Sequence, residues 1–116
     1  MNKEKAIITY VSAWNADDSK ERRRLLQSSF TEEGKYVDPH VPGPAENIQQ
    51  MEAVIQTFRS RLPHRLSIIG QPELHHQVFR LKWKMDDQGS VLSKGIFVGE
   101  FNPDNKIKTV IGFIDA

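Results

Sequence analysis

The 116-residue chain has no cysteine, which excludes disulfide staples, thiolate nucleophiles and thiolate metal ligands. It has no run approaching the ~20 apolar residues of a membrane-spanning helix. It also lacks an excess of either charge. Sixteen basic against fifteen acidic residues leave a net +1, and this gives no general drive toward nucleic acid. The one basic cluster, Arg22-Arg23-Arg24, follows Glu21 in helical register with no aromatic stacking platform, so a solvated helix face is expected. No Ser-His-Asp order, phosphate-cradling glycine loop or dinucleotide fingerprint occurs, and no cofactor is expected. The first five residues are charged and lead straight into a helical pattern, so neither a signal peptide nor membrane attachment is expected and the cytoplasm is the default location.

What is present suits one domain over residues 1–116 with an ordinary globular composition, 38% hydrophobic and 27% charged. Ile7, Tyr10, Val11 and Trp14 recur at helical spacing between Lys3 and Asn15. Ser19 is placed to cap a second helix that runs through Arg22 to Leu26 and buries Leu25 and Leu26. Thr31 to Gly34 reads as a turn and Lys35 to Asp38 as a short strand. Pro39, Pro42, Gly43 and Pro44 then form a stiff, non-helical loop. A third helix is expected from about Ala45 to Leu62, with Ile48, Met51, Ile55, Phe58 and Leu62 on one face and Pro63 ending it.

The remainder reads as an antiparallel meander, with strands at Arg65–Gly70, Gln77–Met85, Val91–Phe101 and Ile107–Asp115. Phe79, Leu81, Trp83 and Met85 alternate with Arg80, Lys82 and Lys84, giving one apolar and one wet face. The last two strands are apolar on both faces. One face takes the helices, and the expected cover for the other is a second copy of the chain, a homodimer through the sheet.

Two segments carry candidate chemistry. Asp38, held by Pro39, follows a strand-like run, and Tyr36 shares its side-chain parity. Tyr10 and Trp14 lie one turn apart on the first helix. A carboxylate and a phenol in an apolar cavity suit holding or polarising a small apolar molecule. Asp38 then acts either as a general base or as a cap on its own loop through the Val41 or Gly43 N–H groups. Tyr10 needs a hydroxyl partner, from protein or from ligand. Trp14 serves as core or as cavity wall. His75-His76 is not expected to bind metal, because adjacent strand residues point to opposite faces, and His40 and His64 supply no ligand spacing. His76 is nonetheless kept as a polar contact of the pocket, and Asp115 as a carboxylate near the end of the last strand.

The order of elements, together with Tyr10–Asp17, Phe30–Pro39 and the ending Gly112-Phe113-Ile114-Asp115, resembles the nuclear transport factor 2-like superfamily, most closely its SnoaL-like branch, with ketosteroid isomerases as relatives. The resemblance implies an α+β cone, three N-terminal helices packed on a curved antiparallel sheet. It implies that Tyr10 occupies the position of an oxyanion-stabilising phenol and Asp38 that of a proton-moving aspartate. The third member of that set, a protonated acid on a late strand, aligns with Phe97, which cannot donate a hydrogen bond. Different chemistry, or none, is then implied. Trp14, Tyr36, His76, Trp83 and Phe97 are the expected ligand-lining residues. The alternatives are a non-catalytic binding module and a dimerising domain whose cavity is packed shut.

Overall fold

Ile7, Tyr10, Val11 and Trp14 form the buried stripe of α1 (Lys3–Asn15), which Asn2 caps by accepting from the Lys5 N–H. The computed structural model describes residues 1–62 and 64–115. After α1 come α2 (Ser19–Ser29), β1 (Phe30–Val37), α3 (Ile48–Arg61), β2 (Arg65–His75), β3 (Val78–Asp87), β4 (Ser90–Phe101) and β5 (Ile107–Ile114). Asp18, rather than Ser19, caps α2, and Asn47 caps α3, so α3 starts three residues later than its pattern suggested. Pro63, expected to end α3, lies outside the described residues.

The basic cluster is not uniformly solvated. Arg22 is 1% exposed, while Arg23 and Arg24 face water. Its guanidinium donates to Glu52 Oε1 and Gln56 Oε1, each at 2.8 Å, and to the Ala16 carbonyl at 2.8 Å. One planar cation thus fastens α2 to α3 and to the α1–α2 turn, a task suited to a fork of five donors. Asn15 makes the matching tie to the sheet, donating to the Leu66 carbonyl at 2.9 Å and accepting from the Leu66 N–H at 2.7 Å.

The sheet has the order β1-β5-β4-β3-β2. β2 to β5 form the expected antiparallel meander, but β1 pairs parallel with β5, so the sheet is mixed. The segment Thr31–Gly34, expected as a turn, lies inside β1. The strand is irregular there, with its register shifting between Phe30 and Lys35. Gly34 permits this, because a Cβ at that position would lie 2.3 Å from the Phe30 ring.

On the core face, large aromatic rings lie directly over glycines of the next strand. Phe79 pairs with Gly99, Trp83 with Gly95 and Phe97 with Gly112. A Cβ at Gly99 or Gly95 would come within 2.4–2.5 Å of the facing ring. The glycines make room for rings that fill the concave side of a curved sheet.

Candidate functional site

The site begins at the end of β1. Tyr36 exchanges two backbone hydrogen bonds with Ala45, both 3.0 Å, which closes the base of the proline-rich loop. Inside that loop Asp38 is buried, 8% exposed. Its Oδ1 accepts from the N–H groups of His40 at 2.7 Å and Val41 at 3.1 Å. Its Oδ2 accepts from the Tyr36 hydroxyl at 2.5 Å. The loop-capping role is therefore observed through His40 and Val41, and no bond from Gly43 is among those found. A carboxylate has about four acceptor positions. Three are taken, and one on Oδ2 is left.

Asp38 and Tyr36 form one wall of a partly enclosed cavity of about 110 Å³ with Trp14, Phe58, Trp83, Phe97 and Gly112. Gly112 is needed at this spot. A Cβ there would lie 3.2 Å from both the Tyr36 hydroxyl and the Asp38 Cβ, pressing on the pair. Phe97 links the rings, with its centroid 5.5 Å from Trp83 and 6.2 Å from each of Trp14, Tyr36 and Tyr10.

Tyr10 does not line this cavity. It lies behind Phe97, stacked on Phe30 with centroids 5.7 Å apart, and its hydroxyl has no hydrogen-bond partner among the described residues. Burial pushes its phenol far above the ordinary value, opposed by the Trp14 indole N–H and reinforced by the charge of Asp38. Tyr36 is likewise raised well above the ordinary value, by burial first and then by Tyr10 and Asp38. Both phenols therefore stay protonated, and the one in contact with the carboxylate is Tyr36.

His76 is not brought to the cavity either. It occupies the β2–β3 turn, exposed, with φ of 52°. Because it is in a turn, the alternation rule does not separate it from His75, and the two Nδ1 atoms are 3.2 Å apart. Asp115 is exposed past β5, its N–H donating to the Lys94 carbonyl. Among the described residues no group of three or more His, Asp or Glu side chains could hold a metal ion. No described helix is long and apolar enough to cross a membrane.

A second, open groove of about 640 Å³ runs between the proline-rich loop and α3, bounded by Val41, Pro44, Val54, Thr57 and Arg61. It meets the inner cavity at three shared residues, His40, Phe58 and Leu62. Sequence reading missed this groove, although Ala53 and Val54 lie outside the buried stripe of α3 and were its only signal.

Similar proteins are found among solved structures. A proposed isomerase of the SnoaL-like family from Agrobacterium tumefaciens superposes with a TM-score of 0.90 at 30% identity, over 98% of this chain and 97% of that one. A nuclear transport factor 2-like protein of unknown function from an Exiguobacterium species reaches 0.73 at 19% identity, over 95% and 98%. A proposed ketosteroid isomerase from Kribbella flavida also reaches 0.73, at 12% identity, over 98% and 78%; like the previous match, it bears on the fold alone. No protein-family model and no curated protein matches the chain.

Proposed function

Since the chain belongs to the SnoaL-like family, we propose that it holds a small carbonyl compound in the inner cavity and moves a proton on it with Asp38. One observation carries this reading. A buried carboxylate with one unused acceptor position forms part of the wall of an otherwise largely apolar cavity. In the proposed step Asp38 Oδ2 takes a proton from the carbon beside the carbonyl. The C–H pair becomes the C=C bond of an enolate, and the carbonyl π pair moves to oxygen. Returning the proton to the same or a conjugated carbon regenerates the carboxylate. Tyr36 holds Oδ2 in place and steadies its charge. The A. tumefaciens relative, described as a proposed isomerase, supports this reaction class.

Apolar cavities of about 150 Å³ hold a benzene-sized molecule. The inner cavity therefore admits a five-membered ring or a short branched chain, and the body of a larger ligand would extend into the groove past His40, Phe58 and Leu62.

The test is deuterium uptake by cyclic ketones in D2O, followed by NMR. The protein should accelerate uptake, and Asp38→Asn should abolish the acceleration while keeping the loop, because an amide oxygen still accepts from His40 and Val41. Undiminished exchange in the variant would overturn the reading. A second reading, binding without chemistry, is favoured by the three donors that already occupy Asp38. It expects no exchange in either protein and nearly equal affinity for the ketone.

The partner we propose is a second copy of the chain. Val37, Ile111 and Phe113 are exposed on the sheet face opposite the helices, and register sets Val37 beside Ile111, Ile111 beside Val98 and Phe113 beside Ile96. Such a continuous apolar patch suits a self-complementary contact. Light scattering should give twice the chain mass, falling to one chain mass in Phe113→Asp. A monomeric native protein would refute this pairing.

A further inference from the structure

The open groove of about 640 Å³ has the size of a small-molecule site, for which the usual range is roughly 300–1,000 Å³. Its loop side is apolar, from Val41, Pro42 and Pro44. Its other polar side chains form one row on α3. Gln50 and Thr57 stand about two turns apart and Arg61 about one turn further, so all three share the face that carries Val54. Among the groove's lining residues Arg61 alone bears a permanent charge, and no Asp or Glu is there to neutralise it. Arg59 makes the contrast. Both arginines lie in the last turn of α3, where a cation suits the helix dipole. Arg59 points to the other side of the helix and is consumed by Asp17 and by the Trp14 and His64 carbonyls, at 2.9 and 3.1 Å. Arg61 is exposed and enters none of the ion pairs found among the described residues. Helical side chains lean toward the N-terminus of their helix, so Arg61 reaches back over the turn that holds Thr57 and Phe58. Phe58 also lines the inner cavity, which puts the guanidinium within reach of the passage between cavity and groove.

We propose that the groove takes the apolar body of an acid whose carboxylate pairs with Arg61, so that the ligand is an elongated keto acid. Its carbonyl end enters the inner cavity and its acid group stays outside. The inference rests on the reading that the inner cavity holds a carbonyl compound, and it adds the second functional group of that compound. Charge complementarity selects the anion, because a planar guanidinium matches the two oxygens of a carboxylate. The proline-rich wall suits the apolar chain between the two groups. A cationic ligand would meet Arg61 with no acidic lining to offset it.

The experiment compares a cyclopentanone bearing a butanoate chain with its methyl ester, by calorimetric titration against the native protein, Arg61→Gln and Arg61→Lys. The native protein should bind the carboxylate about fivefold more tightly than the ester, the upper end for an exposed ion pair. Concentrated sodium chloride should shrink that preference by screening. Arg61→Gln should abolish it with the ester's affinity unchanged, and Arg61→Lys should restore most of it. No preference in the native protein, or one that survives Arg61→Gln, overturns the proposal. The latter, with a lower melting temperature, is the result expected if Arg61 only completes the end of α3. A groove filled by a second copy of the chain would also overturn it, and would show as a dimer that Val54→Asp splits in light scattering. Deuterium exchange on the same two compounds separates the readings. No exchange with the preference present sinks the proton transfer and leaves the acid site; exchange without the preference sinks the acid site alone. Failure of both compounds to bind sinks both.

Discussion

The two ends of one aromatic core make opposite use of a buried tyrosine. At one end Tyr10 is stacked on Phe30, and its hydroxyl has no partner among the described residues. At the other end Tyr36 gives its proton to Asp38 beside a cavity. Phe97 divides them, equidistant from both phenols. The difference lies in the residues next along the chain from each tyrosine. Tyr10 continues into helix and packs its ring against Phe30 and Phe97. Tyr36 leads into a loop that turns its own carboxylate back under the ring.

Replacing rings at the two ends sharpens the contrast. Phe30 is fully buried, so Phe30→Ala should open a void at the packed end and cost about 3–5 kcal/mol in denaturant unfolding. Exchange activity should suffer much less than stability. Tyr36→Phe leaves Asp38 Oδ2 without its donor, and a loss of about 1–3 kcal/mol is expected. The equivalent change at the packed end, Tyr10→Phe, removes a hydroxyl that bonds to nothing. It should leave stability within about 0.5 kcal/mol or raise it. Equal losses in Tyr10→Phe and Tyr36→Phe would erase the distinction between the two ends.

The smallest effect concerns His64, which borders Trp14 at the cavity end, with ring centroids 6.4 Å apart. Burial lowers its pKa, against the opposing pull of the Leu62 carbonyl, which accepts from Nδ1. With the folded value below the unfolded one, the unfolded chain takes up the proton first as pH falls. Stability should therefore decline from about pH 6.5 downward until the folded pKa is passed, and be flat above it. Urea midpoints measured across that window should lose part of this slope in His64→Gln, and an identical slope would count against the assignment.

Much of this was legible in the chain. The helical stripes and the alternation of β3 announced the helices and the meander, because each has a period set by local geometry. The shared parity of Tyr36 and Asp38 was legible for the same reason. Arg22 was not, since its partners Glu52 and Gln56 come from a distant helix and leave no mark on the local pattern. Thr31–Gly34 has turn composition but is carried into β1 because Phe30 and Lys35 on either side of it pair with a strand more than seventy residues later, a case of tertiary context overriding propensity. Tyr10 was favoured over Tyr36 by resemblance alone, and only the packing of Phe97 shows that it is walled off.

The pairing of β1 with β5 also sets an order of events. Phe30 is matched with Ile107 and Tyr36 with Val110, so stretches more than seventy residues apart must be brought together before the edge strand is seated. Helices and hairpins form from near neighbours, but this closure brings together distant stretches and is entropically the slowest. Gly112 reaches Asp38 only through it. A chain still emerging from the ribosome can therefore carry every aromatic ring of the cavity and yet have no finished site, and competence would arrive in a single step when the last strand docks.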